Sequence, residues 1–364
     1  MLYPPQRLVD AQAAAAAAGL DALLLSPGAD LRYLTGYDAR PLERLTCLVV
    51  PAAGEPFLVV PVLELPAARA VPGLDVELVA YAETDDAYGL VAARLPAGTA
   101  RVAVDNHMWA EKLYGFRRAL PGAEADLAGE VLADLRMRKT PDEVESLRRA
   151  GSAIDDVHRH MGDWLRPGRT EREVAADIAD AILAAGHATA EFVIVGSGPN
   201  GASPHHDLSD RTIEPGDPVV VDIGGRMADG YCSDCTRTYA VGEPPAEFLA
   251  YYDVLRRAQL AQTDAVRPGI VAEDLDAIGR DIIAEAGYGE YFIHRTGHGI
   301  GLEVHEEPYI VAGSRRPLEP GMAFSVEPGI YLPGRHGARI EDIVVCTDDG
   351  GERLNRAERD LVVL

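Results

Sequence analysis

The residues of this sequence most suited to bind metal ions are four carboxylates that form two similarly spaced pairs. Each pair follows a Glu-Pro-Gly tripeptide and a short apolar run; the pairs are Asp222 with Asp234 and Glu327 with Glu341. An acid beside buried apolar residues costs free energy unless a partner compensates its charge. The repetition therefore indicates that both pairs bind one positively charged group, and a metal centre is the natural candidate.

Each pair is also placed symmetrically about a turn signal. Asp222 and Asp234 are equidistant from Ala228, beside an Asp-Gly dipeptide, and the second pair is equidistant from Gly334. In antiparallel hairpins this spacing predicts acids directly opposite one another, with Cβ atoms about 4.5–5.5 Å apart. Like charges repel at that distance, so we expect cations between them. Two divalent ions would cancel the four charges, and shared carboxylates typically hold such ions about 3.5–4 Å apart.

Histidines supply the remaining candidates. His298 lies between two glycines, which allow close backbone approach, and is the best fifth ligand. Mixed oxygen and imidazole ligands suit Mn²⁺, Co²⁺ or Zn²⁺. Alternatively, the acids could be solvated strand residues of an acidic protein. That alternative does not explain their repeated and symmetric placement. For His206 a surface or supporting position is favoured.

An internal duplication places these residues in two comparable halves. An Arg-Pro-Gly tripeptide at 166–168 precedes a helix pattern and then His205, and a second one at 267–269 precedes another helix pattern and His305. Each half therefore reads as helix, helix, histidine loop and strand hairpin. Capping boxes at Thr140 and Thr170 mark two of the helix starts. The duplication predicts a pseudo-twofold domain with its site between the halves.

The sequence before residue 128 has a different organisation. Strand-like apolar runs at 22–25, 47–50, 57–60 and 101–104 alternate there with helix-like segments, which is typical of an α/β domain. No glycine-rich phosphate-binding motif is present. We therefore predict an α/β domain over 1–127, a linker over 128–139 and the duplicated domain over 140–364. The whole chain is assigned to the α/β (α+β) class.

Composition limits the partners. The net charge of −24 argues against nucleic acid or an anionic membrane. Four cysteines are too few for a disulfide framework and fit a reducing cytoplasm. Cys232 and Cys235 have the spacing of half a zinc site, but no second Cys-x-x-Cys follows, so we interpret them as ordinary strand residues.

Five segments of the second domain resemble the pita-bread metallopeptidases, the group that includes creatinase, aminopeptidase P and prolidase. Within that group the chain is most similar to Xaa-Pro dipeptidases (prolidases) and the smaller Xaa-Pro aminopeptidases. The segments are Asp222, 233–238 (Ser-Asp-Cys-Thr-Arg-Thr), 297–301 (Gly-His-Gly-Ile-Gly) with His305, 326–329 (Val-Glu-Pro-Gly) and 339–342 (Arg-Ile-Glu-Asp). The first 127 residues resemble the creatinase-type N-terminal domain of the group more loosely.

The resemblance implies two divalent metal ions per chain, with Mn²⁺ favoured over Co²⁺ and Zn²⁺. It implies the metal ligands Asp222, Asp234, His298, Glu327 and Glu341, and supporting roles for His205, His294, His305 and Arg339. The implied substrates are proline-containing dipeptides or short peptides, with neither nucleic acid nor membrane as a partner. A homodimer is likewise implied.

A mechanism follows as a hypothesis. A hydroxide bridging the metals would attack the peptide bond before proline, and Glu327 would be the general base. His205 and His305 would stabilise the tetrahedral intermediate and contact the substrate, and His294 would line the proline side. Arg339 would either bind a substrate carboxylate or orient a metal ligand, and the sequence leaves both roles open.

Three functions remain as alternatives. A dipeptidase is favoured over an aminopeptidase that acts on longer peptides, because the chain is short and has no extra domain. The choice would depend on how the N-terminal domain covers the site, through loops near residues 37–44 of one subunit reaching another. A non-catalytic binding protein on the same fold is the remote alternative, because such proteins usually lose ligands.

Overall fold

The computed structural model describes residues 2–364 and divides into two compact units. The first extends to Arg136 and the second from Met137 to Leu364. Over the described residues, no helix combines the length and apolar character needed to cross a membrane.

The first unit is a six-stranded mixed sheet with helices, in the strand order β4-β3-β2-β1-β5-β6. Its strands are β1 (Ala22–Leu25), β2 (Cys47–Pro51), β3 (Phe57–Pro61), β4 (Glu77–Tyr81), β5 (Arg101–Val104) and β6 (Glu124–Leu127). Its helices are α1 (Gln6–Ala17), α2 (Ala29–Thr35), α3 (Leu65–Arg69), α4 (Ala87–Arg94), α5 (Ala110–Ala119) and α6 (Gly129–Met137). Strands β1, β2, β3 and β5 lie where the apolar runs predict them, because each run fills a buried central position of the sheet.

The second unit contains the predicted duplication. Its helices are α7 (Pro141–Arg159), α8 (Met161–Trp164), α9 (Glu171–Ala184), α10 (Ala246–Ala265) and α11 (Ala272–Glu285). The strands of its first half are β7 (His187–Ser197), β8 (Pro218–Met227) and β9 (Cys235–Ala240). The later strands are β10 (Gly297–Gly299), β11 (Glu306–Ile310), β12 (Ala323–Val326), β13 (Gly329–Leu332), β14 (His336–Arg339), β15 (Asp342–Cys346), β16 (Gly351–Arg353) and β17 (Val362–Val363).

These strands form three sheets, in the orders β17-β9-β8-β7, β11-β10-β12-β15-β16 and β13-β14. Helices α7 and α9 bury apolar side chains such as Ile154 and Ile178 with Val219 and Val221 of β8. Helices α10 and α11 contribute to the cores of the second half. The long strands and amphipathic helices thus form a rigid support for the loops and strand ends that carry the predicted site.

Backbone hydrogen bonds repeat between the two halves. Gly168 N donates to Ile213 O at 2.9 Å, and Gly269 N donates to Leu318 O at 2.8 Å. Each of these contacts joins an Arg-Pro-Gly turn to the residue before a Glu-Pro-Gly turn. The predicted duplication is therefore confirmed in the backbone.

Two helix starts were predicted from capping boxes, and both are present. Thr140 and Glu143 exchange hydrogen bonds at the start of α7, and Thr170 and Glu173 do so at the start of α9. The Thr side chain accepts from the backbone N–H of the Glu, whose carboxylate accepts from the backbone N–H of the Thr.

Candidate metal centre

The first acid pair lies on the β8–β9 hairpin, but the predicted register is wrong. Asp222 pairs with Thr236, and Asp234 lies two positions before Thr236, directly ahead of the first residue of β9. The reason is the turn, where Gly230 adopts a left-handed conformation with φ 97° and Met227 N donates to Tyr231 O at 2.9 Å, so the turn centres on Asp229 and not on Ala228. The two acids remain on one face as diagonal neighbours rather than direct partners.

The second acid pair has the predicted register. Val326 faces Asp342 in one strand pair, and Gly329 faces Arg339 in the next. Both pairs have the same register, and in that register Glu327 and Glu341, which lie between them, are opposite one another. The ladders are interrupted at this point because Pro328 has no N–H to donate. Both acids therefore lie on irregular backbone at the junction between the strands.

His298 lies on β10, and its glycine neighbours are required by close packing. A Cβ at Gly297 would lie 1.8 Å from Ser325 O, and one at Gly299 would lie 2.2 Å from Glu307 O. His298 Nδ1 is 3.0 Å from Gly299 O, which can only accept, so Nδ1 carries the proton. Nε2 is then the atom directed at the acids, 3.1 Å from Glu327 Oε1 and 3.6 Å from Asp234 Oδ2.

The five predicted ligands come together from both halves. They form two overlapping triads, and within each triad the potential ligand atoms lie within 4.8 Å of one another. The first triad is Asp222, Asp234 and Glu341, and the second is His298, Glu327 and Glu341. His305 forms a third triad of this kind with Asp234 and His298. Hard carboxylate oxygens with one imidazole nitrogen form a donor set for divalent metals.

One orphaned atom supports this fit. Asp222 Oδ1 is buried and has no hydrogen-bond partner among residues 2–364, whereas Oδ2 accepts from Arg339 Nη2 at 2.6 Å. A buried carboxylate oxygen without a partner is costly. A cation among these carboxylates would compensate that oxygen, so the residues present fit a metal centre.

The electrostatics of the cluster lead to the same conclusion. Burial, and then repulsion from Asp222, raises the pKa of Asp234 well above its usual value. Burial and repulsion from Asp234 do the same to the pKa of Glu341. Burial also opposes ionisation of Glu327, but the hydrogen bond with His298 and the charges of His298, His294 and Arg339 together outweigh burial and lower the pKa of Glu327 to about 2. Positive charge would relieve the repulsion among these acids.

Arg339 connects ligands of the two halves. Its guanidinium donates to Asp222 Oδ2, to Tyr331 OH at 2.6 Å and to Thr236 Oγ1 at 3.1 Å. Thr236 Oγ1 in turn donates to Glu341 Oε2 at 2.8 Å. Of the two roles that the sequence leaves open for Arg339, these contacts favour the orientation of metal ligands.

The same network fixes His294. Tyr331 OH, which accepts from Arg339, lies 2.9 Å from His294 Nε2. His294 Nδ1 lies 2.7 Å from Arg295 O, which requires the proton on Nδ1. Both ring nitrogens are thus engaged within the protein, and His294 presents its ring faces and edges rather than a free donor.

The other predicted histidines differ in exposure. His205 and His305 are exposed, and the ring of His305 lies 3.8 Å from that of His298 between centroids. Although part of the His305 side chain is exposed, the desolvation of its ring beside His298 and the charge of His298 lower the pKa of His305 to about 4. His206 is half-buried, and its Nε2 lies 2.8 Å from Glu171 Oε2.

Two residues that support the site, Ser325 and Tyr331, were not predicted from the sequence. Ser325 Oγ accepts from His298 N and donates to Glu327 Oε1, both at 3.0 Å. Tyr331 links Arg339 to His294 as described above. Ser325 precedes Glu327 by two positions and Tyr331 follows it by four. The two-residue period of a strand was therefore a signal that could have identified both.

The Cys232–Cys235 pair takes no part in the centre. Both thiols are buried and free. Burial raises the pKa of each, so neither is prepared to act as a thiolate ligand.

Comparison with known proteins agrees with this geometry. Residues 145–348 match metallopeptidase family M24, and residues 7–138 match the creatinase/prolidase N-terminal domain. A probable dipeptidase, PepE, of Mycobacterium tuberculosis is 54% identical over 99% of this chain and 96% of its own length. The Xaa-Pro dipeptidase of Lactobacillus delbrueckii is 39% identical, covering 95% of each chain.

Solved structures show the same relationship. The crystal structure of dipeptidase PepE from Mycobacterium ulcerans superposes with a TM-score of 0.94 at 54% identity, covering 98% of this chain and 97% of that one. The predicted fold class, an α/β N-terminal domain followed by a pita-bread domain, is thereby confirmed. The chain belongs to metallopeptidase family M24 and is an enzyme of that family.

Proposed function

We propose that this enzyme is a dipeptidase that hydrolyses the bond before proline and uses two divalent metal ions, with Mn²⁺ favoured. The observation that carries the proposal is the convergence of four carboxylates and His298 in overlapping triads, one of which contains the orphaned Asp222 Oδ1. The names of the similar proteins, dipeptidase and Xaa-Pro dipeptidase, support the substrate class.

The proposed metal ligands are the five residues named above: Asp222, Asp234, His298, Glu327 and Glu341. When bound, the two ions would supply an activated water molecule and polarise the scissile carbonyl. The chain's own residues would supply proton transfer, orientation and substrate contacts.

Glu327 is the proposed general base. The positive charges near Glu327 favour its carboxylate form, so the group is ionised at neutral pH, as an acceptor of the proton from the attacking water must be. Ser325 Oγ donates to Glu327 Oε1 at 3.0 Å, which would fix the orientation of the carboxylate toward the attacking water. The same carboxyl group would then deliver the proton to the nitrogen of the leaving proline.

The histidines would act on the substrate. With a pKa of about 4, His305 is neutral at pH 7 and can donate a hydrogen bond to the oxygen that becomes negative. His205, on the loop of the other half, would contact the substrate from the opposite side. His294, whose nitrogens are occupied, would pack its ring against the proline.

Substrate length and sequence distinguish the candidate functions. We expect purified enzyme with Mn²⁺ to cleave Ala-Pro and to leave Ala-Pro-Ala and longer Xaa-Pro peptides nearly intact. Ala-Ala serves as the matched peptide without proline. Preferential cleavage of Ala-Pro-Ala would favour an Xaa-Pro aminopeptidase, and cleavage of Ala-Ala at the rate of Ala-Pro would contradict the proline preference.

Metal dependence is tested with the same substrate. We expect chelation to remove Ala-Pro hydrolysis and metal analysis to approach two ions per chain. Full hydrolysis after complete removal of metal would overturn the proposal. A homodimeric state and a cytoplasmic location remain predictions, which gel filtration with light scattering and cell fractionation would test.

A further inference from the structure

A second buried carboxylate, outside the metal cluster, is enclosed by hydrogen-bond donors. Glu171 is the first residue of α9, and its side chain is 0% exposed. Its two oxygens accept from Ser197, Asn200, His206 and Ser209 at distances of 2.6–3.1 Å. We call these four donor residues the Glu171 cage.

The cage belongs to the segment that carries His205. Its four members lie between residues 197 and 209, on both sides of His205. Directly before His205, the carbonyl of Pro204 accepts from Arg339 Nη2 at 3.2 Å. The exposed His205 therefore extends from a segment held by Glu171 on one side and by Arg339 on the other.

The start of α9 does not itself require a carboxylate at this position. Thr170 and Glu173 already cap the helix. In the second half, Ala272 occupies the matching position at the start of α11, where its N–H bonds to Arg316 O as that of Glu171 bonds to Arg211 O. A small apolar residue thus suffices to start the equivalent helix, and the carboxylate of Glu171 serves another purpose.

We propose that Glu171 is a positioning residue that fixes the direction of His205 through the Glu171 cage. The inference rests on the proposed function, in which His205 contacts the substrate. A buried carboxylate with this many donors is satisfied only when all of them face it, so it selects one conformation of the segment. The burial of Glu171 raises its pKa, but the hydrogen bonds from Ser209 and Ser197 outweigh burial and lower it, so the group stays an acceptor.

Glu171→Gln tests the proposal because it keeps the shape of the side chain and replaces one acceptor by a donor. We expect kcat/KM for Ala-Pro to fall about 10-fold, as a misplaced substrate contact would cause, with metal content unchanged. Glu173→Gln is the matched control two residues along the same helix, and a capping box accepts either residue. We expect its activity to match that of the wild type.

A double-mutant cycle separates positioning from a general structural effect. In a His205→Ala background, we expect Glu171→Gln to change kcat/KM by less than about 2-fold, because the side chain that it positions is already absent. A fall of the same size in both backgrounds would overturn the proposal. If Glu171→Gln does not fold, Ser209→Ala replaces it in the cycle and should lower kcat/KM by about 3-fold.

Amide hydrogen exchange gives a readout that does not depend on activity. Ser197 N donates directly to Glu171 Oε1 at 2.7 Å, so we expect faster exchange at Ser197 and across 198–209 in Glu171→Gln, and no change in α10. Unchanged exchange in that segment would overturn the proposal. If wild-type enzyme with metal cleaves no dipeptide, the proposed function fails, and the exchange result alone decides whether Glu171 fixes the segment.

Discussion

The two halves of the second unit share a backbone plan but hold their acids and histidines by different means. In the first half, β8 and β9 form one continuous ladder, and both acids lie in it or directly beside it. In the second half, Pro328 divides the hairpin into two ladders, and Glu327 and Glu341 lie at the break. The comparison shows that duplication supplies the frame, whereas local backbone chemistry sets the position of each ligand.

The segments that carry His205 and His294 are also held by different contacts in the two halves. In the first half, the serine, asparagine and histidine donors of the Glu171 cage surround Glu171. In the second half, Asp276 accepts from Thr296 N at 3.0 Å and pairs with Arg280, which donates to Phe292 O and His294 O. Both helices that follow Arg-Pro-Gly therefore hold a histidine segment with a buried acid, but from different positions and with different partners.

The largest expected effect comes from removing one ligand in each half. We expect Asp222→Asn and Glu341→Gln each to lower kcat by more than the roughly 10- to 100-fold typical of residues that only support ligands. Metal content measured by mass spectrometry should fall in both variants. Asp210→Asn, on the surface of the first half, is the control. Full activity in either variant would show that the halves do not share one centre.

Arg339, which joins the halves, should have the next largest effect. A lysine cannot reproduce the forked contacts to Asp222 and Tyr331, so we expect Arg339→Lys to lower kcat about 10- to 100-fold. The kinetic constants for Ala-Pro distinguish the two roles. A fall in kcat with KM little changed supports orientation of ligands, whereas a KM increase with kcat unchanged would support binding of the substrate carboxylate.

Removing the metal should destabilise the protein in a pH-dependent way. The raised pKa values of Asp234 and Glu341 mean that the metal-free folded state binds more protons than the unfolded state. Its stability should therefore fall as pH rises above the ordinary carboxyl values of 3.8 and 4.5. Melting temperatures with and without chelator should diverge as the pH increases from 5 to 8. A constant difference would contradict this account of the cluster.

The Asp276–Arg280 pair offers a matched test of the second histidine segment. Arg280→Ala leaves Asp276 buried and without its main partner, which should cost about 2 kcal/mol, allowing for the partial exposure of Arg280. Urea unfolding measures the change. Arg257→Ala, which breaks an exposed pair on α10, is the control and should change stability little. Equal effects of the two substitutions would show that the buried acid does not hold this segment.

The helix starts should give the smallest effect. Thr170 caps α9, whereas Val271 at the start of α11 provides no side-chain cap. We expect Thr170→Ala to lower the free energy of unfolding by about 1 kcal/mol and Val271→Thr to raise it by up to about 1 kcal/mol, both without loss of activity. Changes of the opposite sign in urea unfolding would contradict the proposed difference between the two helix starts.

The order of elements and the identity of the clustered residues could be predicted from the sequence. Apolar runs predicted β1 and β5, and capping boxes predicted the starts of α7 and α9. Spacing predicted that Asp222 and Glu341 would share a site. These features depend on local periodicity and on the repetition of short motifs, which are visible without tertiary contacts.

Only the tertiary structure decided how the acids face one another and what holds the histidine segments. The left-handed conformation of Gly230 shifted the first hairpin, so Asp222 faces Thr236 and not Asp234. Glu171 was recognised from sequence only as part of a helix start, because the donors that surround it lie about 26 to 38 positions away along the chain. Turn geometry and long-range hydrogen bonds depend on packing across the fold, and no local pattern specifies them.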